Sequence, residues 1–440
     1  METKSSKKRR FDEGQSAAVT MEDVQRIIDQ RVLQAEQATQ REQAPCPLAK
    51  SGPQQSVHRR DDEDFEKIKK ISEKLRDGTV NDLTKIYLQS AVPLAHDDIL
   101  IPHWSELSDA IQLRGEGDPF SFALINVQVN RSIKDIMSQS LVLKCDRVGL
   151  HMNRFNDQDG IDLAVEIIQN NPPMNQFGFN NSIESEESAN RLCSSILEHP
   201  NIQRMGLAGC CNEGATFGYS MLKTLMSSPA RKFVRLHLGG NHIRTNGCSI
   251  LPDYIASNPP LELLFLNVNH LVDDDLRMMS IALKTNDRLK ELNLNRNDYT
   301  PIGTKWLEVA VRGLRPVQTA TGSSFLDPNF DSVFDCNHTC RINGTSVSML
   351  EDSNRSSPLE NKMRKLCDLI DMHSLRGDLV NELQRSVGRD LITLMPFLLQ
   401  RIEAIHLRLQ TSPLSSPLSI FLGLLREMPE LLENRRKIIE

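Results

Sequence analysis

A six-residue pattern recurs along the middle of this 440-residue chain: apolar, any, apolar, any, any, and then asparagine or a substitute. Its first position falls at Phe122, Val148, Phe177, Met205, Leu236, Leu264 and Leu292, at spacings of 26, 29, 28, 31, 28 and 28 residues. Seven units in step constrain the fold more than any other feature, because unrelated elements do not keep a common period. In LHLGGN (236–241), Leu236 and Leu238 point to one side of a short strand and are apolar because that side faces a core. The asparagine turns the chain, and its side chain satisfies backbone groups that a buried bend would leave unpaired. Asn153, Asn241, Asn269 and Asn297 fill this turn position; Val127, Ser182 and Cys210 take it in other units. A degenerate eighth unit is expected at Phe334–Thr339 (FDCNHT), after a surface insertion over 315–333.

A helix follows each strand. Gly160, Leu163, Ala164, Ile167 and Ile168 form one apolar stripe at helical spacing, as do Gly303, Trp306, Leu307 and Ala310. One strand–helix unit cannot bury both of its faces, whereas units stacked in one dimension can.

This pattern resembles the leucine-rich repeat family, and its 28-residue rhythm resembles the ribonuclease-inhibitor type. PHWSELSDAIQL, FALINVQV and CNHTCRI are similar to segments of the leucine-rich repeat families of diatom-type algae. The resemblance implies an α/β fold: a right-handed solenoid, or horseshoe, of about eight repeats flanked by helical N- and C-terminal segments. It implies architecture and leaves activity open.

The flanks divide the chain further. Residues 1–60 are polar and Gln-rich, with too few apolar residues for a core, and are expected to be disordered. Lys7, Lys8, Arg9 and Arg10 within them match a nuclear-import signal. Residues 61–115 read as a helical lead-in, 116–345 as the repeat array, 346–358 as a linker and 359–440 as a C-terminal helical cap or bundle. The formal charge of −6 argues against general nucleic-acid binding. No stretch of about 18 apolar residues offers a membrane span. The N-terminus lacks the apolar run of a secretory signal, so the nine cysteines are expected to be reduced thiols in the cytoplasm or nucleus. The sequons at Asn337, Asn343 and Asn354 are then unused.

Strand residues between the core positions form columns on the concave side, the surface such a fold presents to partners. The first column reads Arg147, Gln176, Arg204, Arg235, Leu263, Glu291; the second reads Gly149, Gly178, Gly206, His237, Phe265, Asn293; the third reads His151, Asn180, Ala208, Gly239, Asn267, Asn295. Three glycines in succession predict a trough of bare backbone, edged by arginines that pair with carboxylates or phosphates. The expected partner is another protein, or an acidic or extended peptide, held by Arg147, Arg204, Arg235, His237, Phe265, Asn267, Asn293 and Asn295.

Catalysis and cofactors find no support. There is no phosphate-binding glycine loop, His-Glu-x-x-His or Gly-x-Ser-x-Gly. His151 and His237 are three units apart, too far by strand spacing to act together directly. Cys336, placed on a core strand position of the eighth unit, forms no zinc site with His338 and Cys340, because a second ligand pair is missing. Cys210 and Cys211 read as a turn residue and its neighbour. The alternative is regulation of a GTPase: the implied fold is similar to that of Ran GTPase-activating proteins, and Arg154, Arg244 and Arg296 sit on or beside the turns.

Overall fold

The computed structural model describes residues 69–70, 72–73, 85–94, 100–113, 120–141, 145–155, 157–212, 214–227, 232–318, 324–343 and 354–376. The chain divides at residue 60, and everything described belongs to the second unit, 61–440. The expectations for residues 1–60 and for the C-terminal segment beyond 376 lie outside the described residues.

Strand and helix alternate: β1 (Lys85–Leu94), α1 (Ile101–Leu113), β2 (Phe120–Val127), α2 (Arg131–Leu141), β3 (Cys145–His151), α3 (Asp157–Gln169), β4 (Gln176–Asn180), α4 (Glu186–Glu198), β5 (Arg204–Gly206) and α5 (Gly218–Ser227). Then come β6 (Arg235–His237), α6 (Ile250–Ala256), β7 (Leu263–Phe265), α7 (Asp273–Thr285), β8 (Glu291–Asn293) and α8 (Pro301–Arg312). A hairpin of β9 (Leu314–Gln318) and β10 (Ser324–Pro328), helix α9 (Phe330–Phe334), β11 (Arg341–Asn343) and α10 (Pro358–Arg376) complete the described elements.

Nine strands make one open parallel sheet in the order β1-β2-β3-β4-β5-β6-β7-β8-β11. Helices α1 to α8 each pack against the next. The pattern read from the sequence is the register of the sheet: Phe122, Val148, Phe177, Met205, Leu236, Leu264 and Leu292 stand side by side. These residues and their partners two positions on, such as Leu238, Leu266 and Leu294, are buried with the helix stripes in one continuous core. Each leucine so buried contributes about 2 kcal/mol of hydrophobic stabilisation.

The turns behave as a ladder. Asn153 Nδ2 donates to Leu124 O at 2.9 Å, Asn241 to Leu207 O at 2.5 Å, Asn269 to Leu238 O at 3.0 Å and Asn297 to Leu266 O at 3.0 Å. Each thus reaches back to the second core residue of the preceding unit. Cys210 plays the same part with its thiol, Sγ to Phe179 O at 3.1 Å. The residue before the turn residue takes a positive φ in Asn126, Met152, Gly209, Gly240, Val268 and Arg296. For the β-branched Val268 that conformation is strained, and its N–H is tied to Asn295 O at 2.7 Å.

Four expectations need correction. Residues 85–94, inside the expected helical lead-in, form strand β1, which adds to the sheet beside β2 with Ile86 opposite Phe122. Ile86, Tyr87 and Val92, β-branched or aromatic, suit a strand there. In the unit of Phe177 the ladder residue is Asn181, whose Nδ2 donates to Leu150 O at 2.8 Å; Ser182 is exposed and bonds Asn212 at 2.9 Å. That unit turns one residue early and lacks the positive-φ position. The eighth unit starts at Ile342, opposite Leu292, and not at Phe334, which ends helix α9. Asn337 Nδ2 ties the end of α7 through Leu283 O and Asn286 O, at 2.8 and 2.6 Å. Cys336 is buried but lies outside any strand.

Helix α10 follows β11 in the chain, and the end of the expected linker is part of its anchorage. Asn354 Nδ2 donates to Asn337 O and Cys340 O at 3.1 and 2.8 Å, and Asn361 Nδ2 to His338 O and Ser356 O at 2.9 and 2.7 Å. Leu366, Leu369 and Ile370 are buried.

Candidate functional site

The strand positions that alternate with the core residues lie on the sheet face away from the helices, in the columns expected. Arg204 is opposite Arg235, Gly206 opposite His237, and His237 opposite Phe265. Strand pairing thus sets the backbones of two arginines 31 apart in sequence opposite each other on neighbouring strands.

Three side chains from β6 and β7 converge with that of Asn267, two residues past the end of β7. The Arg235 guanidinium lies over the Phe265 ring, 5.1 Å from its centroid. The His237 ring meets the same phenyl edge-on at 5.3 Å and 71°. Asn267 hydrogen-bonds His237 and lies over Gly239, where a β-carbon would meet its Oδ1 at 2.7 Å. A cation held on a ring face is worth about 0.5–1 kcal/mol at an exposed site, and it fixes the direction of the guanidinium. Arg204 is exposed; its backbone N–H donates to Asn175 O at 3.1 Å, and its guanidinium has no ion pair or hydrogen bond among the described residues. Arg147 lies beside Asp146, 3.5 Å away. Asn293 accepts the Asn295 N–H at 3.0 Å, and Asn295 is exposed. Glu291, the acid in the first column, is tied off by Arg341 at 3.3 Å and Asn343 at 2.6 Å. The face is therefore cationic at Arg204 and Arg235, aromatic at Phe265 and amide-rich at its C-terminal end.

The glycine trough is not bare. His151, on β3, folds its ring over Gly149 and across to Gly178 on β4: a β-carbon on Gly149 would stand 2.6 Å from Nε2, and one on Gly178 would stand 2.8 Å from Cε1. The glycines are the space the imidazole occupies. His237, from the other side, has its Cβ against the site where Gly206 on β5 would carry one, at 3.9 Å. Two strands, β4 and β5, lie between the two histidines, but the His151 ring reaches Gly178 on β4 and the His237 Cβ approaches Gly206 on β5. No hydrogen bond or ring contact joins the two, although His151 leans toward His237 across Gly178. Burial, and then His237, push the His151 imidazole down to about 4. Burial first and Arg235 next push His237 to about 4, against the raising effect of its contact with the Asn267 amide. With 9% and 8% of their surfaces exposed, both rings are neutral near pH 7, so the positive charge of this face belongs to its arginines. His151 Nδ1 is buried with no hydrogen-bond partner in the described structure. Its role was not legible in the sequence; the glycines flanking it in register were the only signal.

The remaining expected chemistry sorts by geometry. The Lys365 amine sits between Cys336 Sγ and His338 Nδ1, at 3.6 and 3.4 Å, and donates to Asn337 O at 2.9 Å. Cys211 Sγ contacts Met221 Sδ at 3.8 Å in the core, and burial raises its thiol to about 12. Arg154, Arg244 and Arg296 are exposed at the turns. No described helix is long and apolar enough to cross a membrane.

The fold and site together define a protein of repeated strand–helix units built on one parallel sheet, with a residue-specific face opposite the helices. Comparison with models of known protein families and with curated proteins found no match.

Proposed function

We propose that the chain is a leucine-rich repeat solenoid of the ribonuclease-inhibitor type, acting as a non-catalytic scaffold that binds another protein on its concave face. The observation that carries this reading is the pairing of a free, exposed Arg204 with an Arg235 held in place on Phe265, on a face that the core does not require. Buried core positions explain why leucines repeat; they do not explain an ordered cation beside an exposed one. Such a face suits an acidic or extended segment, whose carboxylate or phosphate meets the two guanidiniums while an apolar side chain rests on Phe265. Arg147 extends the cationic edge, and Asn267, Asn293 and Asn295 offer amides to a bound backbone. All eight described cysteines are free thiols, which supports a reducing compartment, cytoplasmic or nuclear.

The test is affinity capture of the tagged chain from its own cells, read by mass spectrometry, against Arg204→Glu/Arg235→Glu and Phe265→Ala. Loss of the same partners in both variants supports the reading, and an unchanged partner set overturns it. The alternative of GTPase regulation rests on the exposed Arg154, Arg244 and Arg296. Accelerated GTP hydrolysis by a panel of small GTPases, abolished in Arg296→Ala, would favour it.

A further inference from the structure

The residues that follow three successive ladder asparagines are His242, His270 and Asp298. The fold stacks them into a row along the turn edge of the sheet, apart from the face described above. His270 Nδ1 lies 2.8 Å from Asp298 Oδ2, and His242 Nδ1 lies 3.2 Å from His270 Nε2. The two ring centroids are 5.4 Å apart with 29° between the planes. With nitrogens in contact, that separation places the rings edge to edge. The row is open to water: the side chains of His270 and Asp298 are 27% and 51% exposed. Its backbone is held, with His242 at φ 51° and the His270 N–H bonded to Ile243 O at 3.0 Å.

The carboxylate decides the tautomer. Asp298 accepts the Nδ1–H of His270, which leaves His270 Nε2 as a lone pair facing His242. Without an ion, His242 meets it with its own Nδ1–H. In the other tautomer of His242, two lone pairs face one gap. Two imidazole nitrogens bound to one tetrahedral zinc ion at their usual bond lengths stand about 3.3 Å apart, close to the separation present here. A carboxylate behind a ligating histidine is the arrangement that orients and strengthens such a ligand. Among the described residues no three metal-capable side chains gather at one point, so water must complete the coordination.

We propose that His242 and His270 form an open two-imidazole site for a borderline divalent transition-metal ion such as Zn2+, with Asp298 as the positioning residue. Binding moves the His242 proton from Nδ1 to Nε2, so no proton is released when both rings are neutral. The ion sits beside the nitrogen–nitrogen line, and both rings tilt to meet it. Neutral imidazoles suit zinc, nickel and copper better than magnesium or calcium.

The experiment uses the full chain, kept reduced, titrated with zinc chloride in a calorimeter and labelled in parallel with diethyl pyrocarbonate to report the accessibility of each histidine. One equivalent of zinc is expected to protect His242 and His270 together. His242→Ala and His270→Ala are each expected to weaken binding at least 10-fold, and Asp298→Asn about 10-fold with the protection pattern retained. Far-UV circular dichroism checks that the variants fold, and His242→Gln and His270→Gln replace any that do not. Zinc that leaves both histidines open to the label, or that binds the His242→Ala/His270→Ala double variant as it binds the natural chain, overturns the proposal.

Discussion

Asn241→Ala tests the ladder most sharply, because its partners can be followed one by one. Asn241 is 1% exposed and makes four hydrogen bonds: Nδ2 to Leu207 O and Leu238 O, and Oδ1 from the N–H groups of Cys210 and Cys211. Leu238 O keeps a donor in the variant, since Asn269 also reaches it at 3.0 Å. Leu207 O and the two cysteine amides are left as three buried, unpaired groups. Each costs about 1 kcal/mol or more, so the variant should lose about 3 kcal/mol. Asn297→Ala is the internal control. Leu266 O retains Asn269 and Leu294 O retains the Tyr299 hydroxyl; the groups left without Asn297 are the N–H of buried Leu271 and the exposed Asn295 O, the latter bonded at only 3.5 Å. Its expected cost is about 1 kcal/mol. Urea unfolding followed by far-UV circular dichroism gives both midpoints, and an unchanged m-value verifies that the comparison is sound in a repeat array. If Asn241→Ala costs no more than Asn297→Ala, backbone satisfaction is not what the asparagine supplies.

Other outcomes follow from the same geometry. Acid should destabilise the fold: an unfolded histidine titrates near 6.5 but His151 and His237 are held near 4, so the unfolded state binds more protons between those values. Stability is full above about pH 6.5 and falls as the pH drops to about 4, by about 3 kcal/mol for either imidazole taken singly; His338, held near 3, acts in the same direction. Urea midpoints at pH 7 and pH 5 check this, and His151→Asn should flatten the slope. Gly178→Ala should cost about 1–3 kcal/mol by driving His151 off its seat, whereas Gly206→Ala, whose nearest neighbour is 3.9 Å away, should be near neutral by the same assay. Asn361→Ala removes the partners of His338 O, Ser356 O and Ser356 N, and should release helix α10 to limited proteolysis ahead of the rest of the array. Cys248, half-exposed and lowered by the Tyr219 hydroxyl 2.8 Å from its sulfur, should react with a thiol reagent before Cys193, Cys210, Cys211 and Cys340, whose thiols burial raises.

The sequence by itself determined the units. Every frame position from Phe122 to Leu292 is a neighbour in the sheet, because a fixed period and two apolar residues per strand allow one register only. The columns of the working face followed at once, since alternation along a strand is a backbone property. The tertiary structure decided what no period encodes. It made residues 85–94 a strand, by pairing them with β2 across 36 residues of sequence, as Ile86 with Phe122. It moved a ladder position to Asn181 and the last strand to Ile342, because single-residue shifts in a turn are resolved by which backbone groups find partners. It laid His151 across Gly149 and Gly178, and it drew His242, His270 and Asp298 into one row. Those contacts join residues about 28 apart through side-chain direction, and side-chain direction is fixed only once the units have stacked.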